Sequence, residues 1–294
     1  MTSTDKQPRM MATRVFDVPL EPMSLPTKGR IYDLSSGWWP GMPVADAHPP
    51  FQVQTFRSPQ GMRAESLFPY SGLNEANYSF ISEVVTTTTH AGTHIDALCH
   101  ITDGEDDCWH GGYSAKEYLG DAGALRDDAT TLAPIVTRGV MLDIPAALGV
   151  TELAPSQPIG ETELRTACVR QGLTLRSGDA VLIRTGFMQH WPDPERMNSA
   201  AQPGLSIDGA RWLQSIGPVV IGADNTSIEV SPSIVPGEPQ PVHRFLIRQS
   251  GIPLVEWVYL EDLASDDVSE FLFACSPLPI RGATGSLVRP LAIV

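Results

Sequence analysis

The stretch His90-Ala-Gly-Thr-His94-Ile-Asp96-Ala-Leu-Cys-His100 places three of the chain's seven histidines and one carboxylate within a short segment. These four side chains lie at positions i, i+4, i+6 and i+10, so every separation is even. An extended backbone directs such positions to one face, whereas a helix turns the last two away from the first two. The pattern therefore predicts extended or irregular backbone that gathers imidazoles and a carboxylate, which is typical of a metal site.

Gly92 is the residue that we expect to bring the ligands together. Residues four apart in a straight strand are separated by about 13 Å, too far for His90 and His94 to share one ion. A glycine permits a bend or a bulge because it lacks a Cβ atom. The sequence thus predicts a strand over about 79–89, followed by an irregular turn that carries the ligands.

The donor atoms expected here are imidazole nitrogens and carboxylate oxygens, which suit Zn²⁺, Mn²⁺ or Fe²⁺. Thiolates are not expected to contribute. The cysteines are scattered, without the spacing of a metal-ligand motif or the density of a disulfide framework, and we interpret them as structural or incidental. They are Cys99, Cys108, Cys168 and Cys275.

The stretch resembles the His-x-Gly-Thr-His-x-Asp-x-Pro-x-His signature of the cyclase family, which includes bacterial kynurenine formamidase and isatin hydrolase. Every position matches except Leu98, which stands where the signature has proline. The resemblance implies a single-domain α/β fold, a β/β/α swivelling-type sandwich with a mixed sheet. It also implies a divalent metal cofactor, Zn²⁺ or Mn²⁺, with one or two ions per chain.

By this resemblance, His90, His94 and Asp96 hold one ion. His243 and Glu256 match the family's helix-then-strand unit and could hold a second ion, in which case Asp96 would bridge the two. The residues alone also direct attention to Glu256. It lies in an apolar strand, where an unpaired carboxylate is costly to bury, so it should meet a cation.

Three segments are candidates to line a substrate pocket. Trp38-Trp39 precedes a Pro-Gly turn and is either a plug of the core or an aromatic wall; the family resemblance favours the wall for Trp39. Residues 44–75 are rich in Pro, Ser and Gly and are interpreted as a long loop or lid. Residues 224–227 follow a predicted strand, where they either face a site or form a simple turn.

Strands and helices alternate in the second half of the chain. Aliphatic and β-branched runs predict the strands, and amphipathic patterns predict the helices. The strands are expected over 138–144, 179–186 and 218–224, and the helices over 160–172 and 205–216. This alternation favours an α/β sandwich with a partly parallel sheet.

Composition and charge exclude two classes of partner. The chain has 42% hydrophobic and 18% charged residues, ordinary for a globular protein, and a net charge of −14. Nucleic acids and anionic membranes require a basic face, so neither is expected to bind. No apolar run approaches the roughly 20 residues of a membrane span, and the N-terminus lacks a signal-peptide core, so we expect a cytoplasmic protein.

Residues 1–28 contain several prolines and little periodicity, which predicts an extended N-terminal arm. Such an arm could be disordered or could wrap a second subunit. Residues 29–294 are then expected to form the cyclase-like domain. Because family members are commonly dimers or tetramers, the resemblance implies a homodimer or homotetramer.

The function implied is that of a metal-dependent hydrolase. Metal-activated water would open an amide, lactam, imide or lactone bond in a small, cyclic or aromatic substrate that rests against Trp39. His100 is the candidate general acid/base for this reaction. Two alternatives stay open: a cyclase or dehydratase that acts on a polyketide-like metabolite, and a non-catalytic protein that uses the metal to bind a ligand.

Overall fold

The structure, a computed structural model, describes residues 15–66 and 74–294. Its strands are β1 (Ile31–Asp33), β2 (Gln52–Arg57), β3 (Ser82–Thr86), β4 (His94–Asp96), β5 (Leu119–Gly120), β6 (Gly123–Ala124), β7 (Ile135–Asp143), β8 (Pro158–Ile159), β9 (Ala180–Arg184), β10 (Gly204–Leu205), β11 (Val220–Ala223), β12 (Leu254–Glu256), β13 (Glu270–Cys275), β14 (Gly285–Leu287) and β15 (Leu291–Ile293).

The α-helices are α1 (Pro59–Ala64), α2 (Ala115–Tyr118), α3 (Ile144–Leu148), α4 (Glu161–Gln171), α5 (Pro194–Met197), α6 (Ile207–Ile216), α7 (Pro241–His243) and α8 (Glu261–Ser265). A π-helix, Arg244–Gln249, continues α7. Short 3₁₀-helices cover Glu21–Ser24, His110–Gly112, Ala129–Thr131 and Phe187–His190.

The principal sheet has the strand order β1-β15-β13-β7-β9-β11-β12-β4-β14 and curls into a half-barrel. Its centre, from β7 to β12, is parallel, as the alternation of strands and helices predicts. β4 runs antiparallel between β12 and β14. The register of β4 and β12 sets Glu256 opposite His94, so two predicted ligands become neighbours across the sheet.

Helices α4 and α6 cover one face of the parallel strands. Leu164 and Ala167 lie three positions apart on α4, so they share one side of the helix, and both are fully buried. They pack in one apolar cluster with Leu213 of α6 and Val181 of β9. Gly172 ends α4 in the left-handed conformation, at φ 65°, which is the helix stop that the sequence predicts.

Two predicted segments are corrected by the structure. The strand expected over 79–89 is shorter, because β3 ends at Thr86 and pairs with β2 in a separate two-stranded sheet. Residues 44–75 are not only a loop, since they contain β2 and α1; residues 67–73 lie outside the described part. β-branched residues favour a strand without setting its length. After Thr86 the chain leaves the two-stranded sheet and continues through His90 to β4.

The N-terminal segment has little regular structure where it is described. Residues 1–14 lie outside the described part, and residues 15–28 contain the 3₁₀-helix Glu21–Ser24. Glu21 forms an ion pair of 2.9 Å with Arg176. The division into an arm and a domain therefore stays a prediction. Within the described ranges, no helix has both the length and the apolar character needed to cross a membrane.

Gly139 of β7 offers a test of the packing between the sheet and its core. A Cβ atom at this position would overlap the Phe271 ring and lie 2.9 Å from Phe273 Cβ. We expect Gly139→Ala to lower the free energy of unfolding by about 1–3 kcal/mol, as overpacking of a core does. Urea denaturation measures this loss. Gly120→Ala is the matched control, because its Cβ would meet Leu125 at an ordinary 3.7 Å.

Candidate metal centre

Six side chains predicted for the site converge around β4. His94 and Asp96 lie on the strand itself, two positions apart, so they share one face. The ligand-bearing backbone is thus a turn followed by a strand, rather than the turn alone that the sequence predicts. Five of the six are buried, and His100 is partly buried. The exposed fractions of the buried residues are 5% for His90, 2% for His94, 0% for Asp96, 2% for His243 and 6% for Glu256.

Asp96 lies at the centre of the cluster. Its Oδ1 atom is 2.9 Å from His90 Nδ1 and 3.4 Å from His94 Nε2. Its Oδ2 atom is 3.9 Å from His243 Nε2. Two ligand atoms bound about 2.1 Å from one tetrahedral ion lie about 3.4 Å apart, so these separations have the size expected for atoms that share a cation.

Glu256 joins the cluster from β12. Its Oε1 atom is 2.9 Å from His243 Nε2, and its Oε2 atom is 3.5 Å from His94 Nε2. Two groups of three residues could each hold a metal ion, since the donor atoms within each group all lie within 4.8 Å of one another. Asp96 belongs to both groups. They are His90, Asp96 and His100, and Asp96, His243 and Glu256.

The second of these groups has the composition that the family resemblance implies for a second ion. The first group contains His100, whereas the sequence analysis assigns His94 to the first ion and catalysis to His100. His94 Nε2 lies between Asp96 Oδ1 and Glu256 Oε2 and can reach either group. The assignment of individual ligands therefore stays a prediction.

Unsatisfied polar atoms show that these residues fit a metal ion. Among the described residues, both carboxylate oxygens of Asp96 and the Nδ1 atom of His90 are buried without a well-aligned hydrogen bond, although Asp96 Oδ1 and His90 Nδ1 lie 2.9 Å apart. A buried carboxylate in this state is costly unless a cation lies beside it. The ion-pair partners of Asp96 and Glu256 within the described residues are all histidines, which leaves the charge of a divalent ion to be supplied.

The remaining ring nitrogens orient two of the imidazoles. His94 Nδ1 is 2.8 Å from the Gly92 carbonyl oxygen, to which it donates. His243 Nδ1 is 2.6 Å from Glu229 Oε1. In both rings the Nε2 atom is the one that faces the carboxylates, which is the usual arrangement of metal-binding histidines.

Burial and charge also set the protonation of the site. Burial alone would raise the pKa of Asp96, but the imidazoles of His100, His90 and His94 lower it well below its usual range. Burial lowers the pKa of His100 to about 3, so this imidazole is neutral near pH 7. Burial opposes protonation of His243 as well, yet Glu229 and Glu256 raise its pKa well above the usual value. A bound cation would replace that proton.

Gly92 and Thr93 connect the ligand turn to the rest of the fold. Gly92 adopts φ +55°, and a Cβ atom there would lie 2.5 Å from Ser36 Oγ, so the predicted bend is confirmed. Thr93 Oγ1 accepts the Ser36 backbone N–H at 2.7 Å and donates to the Trp257 carbonyl at 2.7 Å. Ser36 Oγ accepts the Thr93 N–H at 2.9 Å. Hydrogen bonds therefore hold the turn between Ser36, which follows β1, and Trp257, which follows Glu256.

A cavity of about 310 Å³ opens onto the cluster. Four of the site histidines line it, together with Glu256 and Trp257. Residues 45–48 and a set of neutral polar side chains line it as well. The neutral polar residues are Asn198, Ser199, Gln202, Thr226, Ser227, Ser231 and Gln240. Thr226 and Ser227 thus face the site, whereas Asp224 accepts hydrogen bonds from Thr185 and Gly186 in a buried turn.

Two residues at the site were missed by sequence reasoning. His48 lines the cavity, and its ring stacks on that of His90 with centroids 5.1 Å apart. Glu229 is buried behind His243. Each lies in a proline-rich segment without periodicity, so no local pattern predicts that it belongs to the site. The one available signal is that an ionisable residue stands alone in such a segment.

Trp39 lies outside the set of residues that line the cavity. It is half-buried, and its ring contacts the edge of Trp191 at a centroid distance of 5.4 Å. Trp191 contacts Trp257 at 5.3 Å, and Trp257 lines the cavity. The predicted contact of Trp39 with substrate therefore stays a prediction, because the Trp191 ring lies between Trp39 and Trp257 of the cavity lining.

Comparison with known proteins gives one family and several similar structures. A family model described as "Putative cyclase" matches residues 32–230. Cyclase-like protein 1 of Arabidopsis thaliana is 24% identical over 270 residues, which cover 90% of this chain and 85% of that protein.

Two solved structures share the fold over nearly the whole chain. The crystal structure of a novel cyclase has a TM-score of 0.81 and 25% identity, and the match covers 94% of this chain and 90% of the other. Isatin hydrolase A from Ralstonia solanacearum has a TM-score of 0.66 and 18% identity, with 90% and 91% covered.

Thr93→Val tests the hydrogen bonds that hold the ligand turn. Valine keeps the shape of threonine but leaves the Trp257 carbonyl and the Ser36 N–H without their partner. We expect the free energy of unfolding of the metal-free protein to fall by about 1–3 kcal/mol. Urea denaturation measures the effect. Thr166→Val is the control, since Thr166 is exposed on α4 and should change stability by less than about 0.5 kcal/mol.

Proposed function

Because the chain belongs to the cyclase family, whose model matches residues 32–230, we propose that it is a metal-dependent hydrolase of small carbonyl compounds. The observation that carries the proposal is the buried Asp96 carboxylate, whose ion-pair partners among the described residues are the imidazoles of His90, His94 and His243; all three imidazoles line the cavity. Within the described residues its ion pairs involve no lysine or arginine, so a divalent cation would supply the compensating charge. The swivelling-type sandwich implied by the family is part of the same proposal.

The proposed cofactor is Zn²⁺ or Mn²⁺, since the donors are imidazole nitrogens and carboxylate oxygens. Asp96, His90 and His94 would hold one ion, and Asp96, His243 and Glu256 have the composition to hold another. When bound, such an ion acidifies water and polarises a carbonyl oxygen.

His100 is proposed to move the proton of the reaction. Its ring stacks on that of His90 with centroids 4.1 Å apart, and it lines the cavity. Because burial keeps it neutral, it has a nitrogen available to accept a proton from water in the cavity. It would then return that proton to the leaving nitrogen or oxygen of the substrate.

The cavity supports a small, uncharged substrate. Its volume of about 310 Å³ admits a compound of one or two rings, and none of the described residues that line it is a lysine or an arginine. A free carboxylate on the substrate would therefore have no cationic side chain to bind. We propose an amide, lactam, imide or lactone as the bond opened; isatin hydrolase A, which shares the fold, is by its name a hydrolase of isatin.

Removal of the metal is the first test of the proposal. We expect the purified protein to contain Zn or Mn, and a chelator to abolish hydrolysis until the metal is restored. His94→Ala should lose both metal and activity, because its Nε2 atom lies between the two carboxylates. Elemental analysis and a hydrolysis assay measure these effects. A wild-type protein that takes up neither metal on titration would contradict the proposal.

His100→Asn tests the proton-transfer role. We expect kcat to fall by at least about 100-fold while the metal content stays that of the wild type, because general acid/base groups contribute roughly 10²- to 10⁴-fold. The assay is run on neutral cyclic amides and lactones and on analogues that carry a carboxylate, which should be the poorer substrates. His190→Asn is the control, since His190 pairs with Glu152 outside the cavity. Unchanged kcat in His100→Asn would remove this residue from the mechanism.

A further inference from the structure

We propose that Glu229 is a positioning residue of the metal centre, which acts by fixing the imidazole of His243. This inference rests on the proposed function and extends it to a residue outside the predicted ligand set. Glu229 is 2% exposed, and its Oε1 atom lies 2.6 Å from His243 Nδ1, the shortest contact that either side chain makes.

The same carboxylate also fixes the backbone that carries His243. Glu229 Oε2 accepts the Val242 N–H at 3.1 Å, and Oε1 accepts the His243 N–H at 3.1 Å. Ring and backbone of one residue are thus held by one carboxylate. His243 has little freedom left to rotate, so its second ring nitrogen has a defined direction.

That direction is towards the other proposed ligands. With Nδ1 donating to Glu229, Nε2 lies 2.9 Å from Glu256 Oε1 and 3.9 Å from Asp96 Oδ2. A carboxylate that accepts from the far nitrogen selects this tautomer and makes the near nitrogen a better metal ligand. Glu229 and Glu256 therefore hold His243 from opposite sides, and a metal ion would bind on the Glu256 side only.

Backbone strain at both carboxylates supports a functional role for them. Ile228, directly before Glu229, has φ +58°, and Trp257, directly after Glu256, has φ +55°. β-branched and bulky residues rarely adopt this conformation. Such strain persists only where the surrounding structure enforces it, and it is concentrated at functional sites. Asn225 contacts both segments: it donates to the Glu229 carbonyl at 3.3 Å, and its own carbonyl accepts the Trp257 N–H at 3.1 Å.

The test compares zinc affinity in wild type, Glu229→Gln, His243→Ala and the double variant, by competition with a chromophoric chelator. We expect Glu229→Gln to bind Zn²⁺ about 10- to 100-fold more weakly, the loss typical of such supporting groups. In the His243→Ala background the same change should have no further effect, because Glu229 acts through His243. A residue that merely stabilised the fold would weaken binding equally in both backgrounds.

Asp128→Asn is the matched control. Asp128 is a buried carboxylate, 3% exposed, that accepts the backbone N–H groups of Thr130 and Gly282 outside the site. Its loss should leave zinc affinity unchanged. Glu229→Asp provides a second variant if the glutamine form does not fold, since it keeps the charge but withdraws the carboxylate from the ring; we expect an intermediate loss of affinity.

The outcomes separate this inference from the proposed function. Wild-type protein that binds no zinc overturns both. If the wild type binds zinc and both Glu229→Gln and Glu229→Asp bind it within twofold of the wild-type affinity, only the role of Glu229 is overturned. The same follows if Glu229→Gln weakens zinc binding equally in the wild-type and His243→Ala backgrounds. A loss that vanishes in that background establishes the role.

Discussion

The structure depends on one unfavourable arrangement, the burial of the Asp96 carboxylate in a sheet, where neither oxygen has a well-aligned hydrogen bond within the described residues. A charged group in this position is stable only beside a compensating positive charge. The elements around β4 bring nitrogen and oxygen atoms to the same point. They come from the turn at Gly92, from the end of β12 and from the end of α7. A divalent cation would satisfy these donors together.

The sheet topology explains how residues 160 positions apart come to share one centre. β4 is inserted antiparallel between β12 and β14, so that the histidine–aspartate pair on β4 lies beside the glutamate that ends β12. His243 ends α7, and the π-helix that follows leads back to β12. Behind the ligands, Thr93 and Glu229 fix the turn and the imidazole through buried hydrogen bonds. These hydrogen bonds are made by the protein alone, without an ion or substrate.

Most of the candidate site was predictable from local sequence, since its ligands lie in one dense motif and in one helix-then-strand unit. The helices α4 and α6 and the strands β7, β9 and β11 were predictable as well, because their periodicity and glycine stops are local signals. His48 and Glu229 were not, because each is a single ionisable residue in a proline-rich segment. Only one strand of the two-stranded sheet of β2 and β3 was predicted. The β-branched residues of β3 identify it as a strand, but its partner β2 lies in a segment with the composition of a loop.

The sequence by itself determined the chemistry of the centre, since the residue types and even spacing of residues 90–100 specify nitrogen and oxygen donors, and it determined the α/β class through the alternation of its periodic segments. Only the tertiary structure decided which donors meet. The register of β4 against β12, the hydrogen bonds of Thr93 to Ser36 and Trp257, and the hydrogen bond from His243 to Glu229 join residues that are separate in sequence. No local pattern encodes such contacts, because they depend on how the sheet closes around the buried carboxylate.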